Sequence, residues 1–294
     1  MNNLMKNSPS YRLIKLLVVF VLLNLFLFMG YAHAKETIKT FSFGIVPQQS
    51  AMVLAKKWIP ILKALEAETG FKFVFGTDST IPEFETKLSK KAYDFAYMNP
   101  YHYTVFHEIS GYQSFAKQAN KLLTGILVVT KNSPIQTLKD LQGYTIAFPA
   151  PAAFAATVIP QATLEEMGIN IQSKYVSSHE SVYKNVSYEN FVAGGGIERT
   201  FNNTNTKIKK NLRIIWKSKG YTPHAFASSP TVSEEDRFKV QQALVKLSNT
   251  DKGKALLNKI NFKAIMPAIN TDWDDVRSLD IKLLAYLKPV SRSL

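Results

Sequence analysis

The sequence predicts an α/β protein of two lobes, each a doubly wound mixed sheet, joined by two hinge crossings. Three observations predict it. Short apolar strands alternate with amphipathic stretches of helical length as a β-α-β-α-β block between Phe41 and Met98, and a similar block recurs between Tyr144 and Trp216. Such blocks make parallel strands through right-handed crossovers. An apolar run at Leu122–Thr130 and a second connection at Gly220–Ser229 lie between and after the blocks, where crossings are needed. Finally, 294 residues suit two lobes of about 100 to 150 residues each better than one core. The expected division is 35–126 for the first lobe, 127–223 for the second, and 224–294 for a return to the first with C-terminal helices.

Residues 1–34 are a different object. Lys6, Arg12 and Lys15 give a basic start, Leu16–Met29 is apolar except for Asn24, and Ala32-His33-Ala34 is the small-x-small pattern that signal peptidase cuts. The run is short for a bilayer span of ~20 apolar residues, so a cleavable signal peptide with cleavage after Ala34 is expected, and a retained anchor is the alternative. The address this implies is the periplasm.

The elements follow in order. Phe41–Val46 alternates as a strand, and Gln48 sits just beyond its end. Ala51–Glu68 repeats apolar residues at helical spacing and stops at Gly70, with Pro60 implying a kink or a break. Phe71–Phe75 is a strand, Pro82–Lys91 a helix, and Phe95–Met98 a buried strand that halts at Asn99-Pro100, where a helix begins. Leu122–Thr130 reads as a strand crossing between lobes. Leu138–Leu141 is a short helix, Tyr144–Phe148 a strand, Phe154–Met167 a helix closed by Gly168, and Lys174–Val176 a strand. A helix over 180–192, a strand at Leu212–Trp216 and a helix capped by Ser233 and running to Leu247 come next. Lys252–Ile260 and Trp273–Leu287 read as C-terminal helices.

Composition excludes several functions. The chain has no cysteine, which removes disulfide scaffolds, zinc-thiolate sites, thiol nucleophiles and a lipidated cysteine tether. Its net charge is +14; without Lys6, Arg12 and Lys15, 33 basic residues face 22 acidic ones. The basic residues are scattered, with runs no longer than that around Lys207–Lys210, and no nucleic-acid motif accompanies them, so no nucleic-acid partner is expected. The charge reads as solvated surface that also steers anions. No Walker loop, His-Glu-x-x-His or Gly-x-Ser-x-Gly is present. His102, His179 and His224 with Glu180 could be read as a metal set, but isolated histidines at such spacings do not specify one. No enzyme activity, metal or cofactor is expected.

Ligand-binding candidates sit where strands end. Tyr97, Asn99, Tyr101 and His102 crowd one strand–helix junction, where open α/β sheets bind ligands. Ala153 and Phe154 occupy a helix start in the second lobe, whose free N–H groups suit an anion without side-chain help. Ser178 and His179 sit at the next strand end. Ala193–Arg199 sets three glycines before Arg199, whose fork fits a carboxylate or phosphate.

The stretches Tyr93–Tyr103 (YDFAYMNPYHY), Leu123–Ile135, Asp140–Pro160, Tyr175–Tyr183, Ala193–Thr200 and Thr222–Pro230 together resemble the periplasmic substrate-binding proteins of phosphate, phosphite and phosphonate ABC transporters, which have the type II periplasmic-binding fold shared with transferrin-like proteins. The resemblance covers about Phe41 to Ile269. It implies a small anionic ligand in the interlobe cleft and a membrane ABC permease as partner. It places Tyr97, Asn99, Tyr101 and His102 on the first-lobe wall, and His179 and Arg199 on the second. The chain departs from phosphonate binders at Ala152–Ala155, where they carry a Ser-Thr-Ser-type run whose hydroxyls hold the oxyanion. A periplasmic sensing module that feeds a membrane signalling protein would use the same fold. An exported enzyme on a binding-protein scaffold is the remaining reading, and no acid–base pair supports it.

Overall fold

The computed structural model describes residues 38–287 and a few isolated positions between 13 and 20. The cleavage site expected after Ala34, with most of the expected signal segment, lies outside them. The chain divides into two compact units, Met1–Ile38 and Lys39–Leu294, and the second carries the fold. No helix among the described residues is long and apolar enough to cross a membrane.

The first lobe is built on strands β1 (Thr40–Ile45), β2 (Lys72–Gly76), β3 (Phe95–Met98) and β4 (Gln113–Gln118), with β10 (Ala225–Ser228) and β11 (Ile265–Pro267) arriving from the C-terminal part. Their order is β11-β4-β10-β3-β1-β2. β1 runs parallel to β2 and β3, with Phe43 level with Phe75 and Phe95, whereas β10 is antiparallel to β3 and β4. β3 (FAYM) is buried throughout, as a parallel strand covered on both faces must be. Phe41, Phe43, Phe71, Phe73 and Phe95 interlock edge to face and offset, with ring centroids between 5.2 and 6.4 Å apart for contacting pairs.

Helix α1 (Ala51–Thr69) buries Leu54, Trp58, Ile61, Leu62 and Leu65 at the spacing of one helical face. It continues through Pro60, because packing of that face outweighs one missing hydrogen bond. Gly70 ends it at φ 74°, donating to Glu66 O. Helix α2 (Ile81–Ser89) is capped by Thr80 and α3 (Pro100–Ser110) by Asn99, whose Oδ1 accepts from the His102 N–H at 2.7 Å.

The second lobe holds β5 (Leu123–Thr130), β6 (Thr145–Phe148), β7 (Gln172–Tyr175), β8 (Ala193–Ile197) and β9 (Leu212–Tyr221), in the order β7-β6-β8-β5-β9. β6 is parallel to β7 and β8; β5 is antiparallel to β8 and β9. A single π-helical turn, Phe154–Val158, leads into α4 (Ile159–Glu166). Then come α5 (His179–Ser187), α6 (Glu198–Asn202) and α7 (Thr206–Lys210). In the C-terminal part, α8 (Glu234–Leu247) and α9 (Asp251–Asn258) pack on the first lobe, followed by one short helix, α10 (Asp274–Arg277).

Four expectations change. The strand expected to cross between lobes, 122–130, pairs with β8 and β9 along its length, and Leu123 lies opposite Tyr221, so the crossings are the short segments 119–122 and 222–224. The glycine run 194–196, for which the sequence predicts no strand, is the buried strand β8. The return segment Gly220–Ser229 contributes a strand, β10, to the first sheet. The helix expected over Trp273–Leu287 breaks into a 3-10 turn at Asn270–Trp273, α10, and a second 3-10 turn at Ala285–Leu287.

Glycine is required in the second sheet for close approach. A Cβ on Gly125 would stand 2.1 Å from Ala155 O, and one on Gly195 would stand 2.0 Å from Ala156 O. The bare backbone of β5 and β8 lets the first turn after β6 lie directly on the sheet.

Candidate binding site between the lobes

The carboxyl ends of β1 and β3 from one lobe, and of β6, β7 and β8 from the other, converge on a closed cleft. This is the position where α/β sheets take ligands. At its centre is a cavity of ≈ 10 Å³, about the room one water needs. Val46, Gln48, Asn99 and His224 line it from the first-lobe side, and Ala153–Ala156, His179 and Ile197 from the second.

The second-lobe wall is a helix start. The Ala156 and Thr157 N–H groups turn back to Ala153 O, at 3.1 and 2.7 Å, while Phe154 and Ala155 N–H find no backbone acceptor among the described residues. Two free donors at the positive end of a helix make an anion cradle. Thr157, the hydroxyl of this turn, is fully buried with Oγ1 unpaired and does not line the cavity. The cradle is therefore made of backbone.

Across the cleft, Arg199 donates from Nη2 to Gln48 Oε1 at 2.8 Å. Since a guanidinium only donates, the Gln48 atom facing it is the carbonyl oxygen, and Gln48 Nε2 donates onward to His224 Nε2 at 2.9 Å. His224 thus carries its proton on Nδ1, which is buried and unpaired. Its ring stacks on Tyr97, centroids 5.1 Å apart and 20° from parallel. Two further bonds join the lobes: Asn99 Nδ2 to Ala152 O at 3.2 Å, and Ser50 N–H to Glu180 Oε2 at 3.1 Å.

Electrostatics keep the imidazoles neutral. Burial, seconded by the Arg199 charge, pushes His179 down to about 3. His224 lies well below the usual histidine range for the same two reasons, with His179 and His102 adding to them. Burial pushes the Tyr97 phenol up to about 12, against the pull of Arg199. The site is a neutral, donor-rich pocket beside a guanidinium. It can hold an oxyanion.

The family model described as "ABC transporter, phosphonate, periplasmic substrate-binding protein" matches residues 43–273, well over half of the chain. The chain belongs to this family. Its sequence is 24% identical over 281 residues to the phosphonates-binding periplasmic protein of Escherichia coli (strain K12), covering 87% of this chain and 79% of that protein. PhnD1 from Prochlorococcus marinus (MIT 9301), solved in complex with methylphosphonate, shares its fold with a TM-score of 0.77 at 18% identity, over 83% of this chain and 98% of that one. A binding-protein component of an ABC phosphonate transporter from Pseudomonas aeruginosa gives 0.76 at 16% identity, covering 83% and 86%. The two mixed sheets and the two crossings are those of this periplasmic substrate-binding family, whose transport systems include a membrane permease.

As a member of this family, the chain gathers Gln48, Asn99, Ala153, Phe154 and His179 around one cavity, with Tyr97 and Arg199 at its border. Three expected residues lie elsewhere. Asn99 is the cap of α3, so Tyr101 and His102 leave it at 100° steps and turn into the first lobe. His102 is fully buried and meets Glu85 at 2.8 Å. The Tyr101 hydroxyl donates to Ile281 O at 3.2 Å and accepts the Leu284 N–H at 2.9 Å. Ser178 caps α5, accepting from the Ser181 N–H, and borders the mouth of the cleft instead of the cavity. Tyr101→Phe is accordingly expected to cost about 2 kcal/mol, by orphaning the buried Leu284 N–H, and to leave ligand affinity within about twofold. Denaturant unfolding and calorimetric titration measure the two quantities.

Among the polar residues lining the cavity, His224 is the one absent from the expected ligand-binding set. Its sequence signal was slight: a histidine directly after Pro223 in a crossing segment.

Proposed function

We propose that the protein is an exported receptor that captures a phosphonate, or a closely similar oxyanion such as phosphite or phosphate, in the interlobe cleft and presents it to a membrane ABC permease. One observation carries this reading: the free Phe154 and Ala155 N–H groups at a helix start line one cavity together with the neutral His179, with the Arg199 charge beside it. The oxyanion would take the two N–H groups and an imidazole N–H, with Gln48 and Asn99 closing over it from the other lobe. Backbone donors here do the work that hydroxyls do in phosphonate binders with a Ser-Thr-Ser run, so recognition reads charge and shape more than hydroxyl geometry.

Ligand capture and lobe closure are one equilibrium, because the cross-lobe bonds exist only when the lobes meet. Export with cleavage after Ala34 completes the reading. The family match favours transport over a signalling module. Titration calorimetry and thermal shift against methylphosphonate, phosphite, phosphate and methanesulfonate test it. At least one phosphorus oxyanion is expected to bind and raise the melting temperature; silence from all of them would remove the reading.

A further inference from the structure

The charges around the cleft are unevenly committed. Each carboxylate bordering it already has a lysine of its own. Glu198 pairs with Lys217 at 2.6 Å, Asp78 with Lys87 at 2.5 Å, and Glu180 lies 3.8 Å from Lys184 while accepting the Ser50 N–H. Besides the exposed Lys121, two cations have no such partner among the described residues. Lys57, half-buried, bonds Gln49 Oε1 at 2.9 Å and lies near Glu180 without forming an ion pair with it. Arg199 uses one N–H on Gln48, and its remaining donors meet no acceptor. Its guanidinium lies over the rings of Tyr97 and Phe262, 5.7 and 5.6 Å from their centroids. A partly buried cation with spare donors is costly until an anion reaches it.

Position turns this imbalance into specificity. Arg199 lines two small voids that flank the oxyanion cavity, sharing Gln48 and Val46 with it on one side and His224 and Leu123 on the other. Lys57 lines the first of them. Gln48 lines the oxyanion cavity, and the Arg199 guanidinium is bonded to it from the flanking void. The neutral Gln48 amide oxygen occupies the place that a charged acceptor would fill better.

Building on the phosphonate reading above, we propose that this side of the cleft is a carboxylate subsite. The ligand is a phosphonate whose substituent bears a second acid group, with Arg199 as the partner of that group and Lys57 reinforcing it. A guanidinium grips a carboxylate through two parallel N–H bonds. A phosphonate ending in an ammonium brings only donors to a wall of two free cations, where every carboxylate is already paired, and is rejected by like charge.

The test is titration of the purified protein with phosphonoacetate, methylphosphonate and 2-aminoethylphosphonate, repeated on Arg199→Gln and Lys57→Met after thermal melts establish that each variant folds. Phosphonoacetate is expected to bind at least about tenfold tighter than 2-aminoethylphosphonate, the least that one charge-assisted bond contributes. Arg199→Gln should bring that ratio close to one, and Lys57→Met should reduce it in part, which keeps the test available if the arginine variant does not fold. Equal or tighter binding of the amino compound, or a ratio untouched by both substitutions, overturns the carboxylate subsite and leaves phosphonate capture standing. Silence from all three compounds removes both.

Discussion

Gly195→Ala is expected to lower stability by about 3 kcal/mol, or roughly 6 to 12 °C in melting temperature for a protein of this size, and to weaken oxyanion binding at least about tenfold. The new Cβ would stand 2.0 Å from Ala156 O and 2.5 Å from Phe148 Cδ1, on a strand with no exposed position. A side-chain tip could step aside, but a backbone carbonyl cannot do so alone. The whole turn Phe154–Val158 must lift off the sheet, taking with it the two N–H groups that form the cradle. Strand and site are coupled through a contact that only glycine permits. Gly143→Ala is the control. Gly143 has φ 79° with open space around its Cβ position, so alanine there incurs only the left-handed backbone penalty of about 1 kcal/mol and leaves affinity alone. If Gly195→Ala melted with Gly143→Ala and bound ligand normally, the docking of the turn on β8 would not be what positions the cradle.

The same contact shows why part of the molecule was legible in the sequence and part was not. The first-lobe strands and helices could be read because Phe41, Phe43 and Ile45 alternate, because α1 repeats its apolar face, and because Gly70 and Asn99 mark ends by local geometry. The strand ends located Gln48, Asn99, Phe154 and His179 for the same reason. β8 could not be read this way. Its glycines carry no hydrophobic pattern, and their role appears only once Val182, Ala156 and Tyr183 press on them from other elements. β11 is short, and both β4 and β11 form by pairing with strands distant in sequence, so local propensity scarcely marks them. Tyr101 and His102 failed on angle: adjacency to a strand end does not decide which side of a helix a residue takes. His224 failed because its neighbours in space, Gln48 and Tyr97, lie in the opposite half of the chain.

Acid should loosen the protein in a window set by two histidines. His179 is pushed down to about 3 and His224 is depressed in the same direction, each by burial first and Arg199 second. In the unfolded chain both titrate near 6.5. A group whose folded pKa is depressed contributes fully above its unfolded value, and that contribution drains as pH falls toward the folded value. Stability should therefore be flat above about pH 7. Below about pH 6 it should fall by up to about 1.4 kcal/mol per pH unit for each histidine. Between pH 6 and 5 most carboxylates remain ionised, so the slope there belongs to histidine. Urea unfolding of the wild type and of His179→Gln at pH 7.5, 6.0 and 5.0 would show it, with the variant losing about half of the slope. Identical slopes would mean that His179 is not held neutral by its surroundings. A bound oxyanion reverses the local field at His179, favouring the imidazolium that burial and Arg199 oppose. Binding at pH 5 should accordingly take up protons, seen as a dependence of calorimetric enthalpy on buffer ionisation, and this uptake should vanish in His179→Gln.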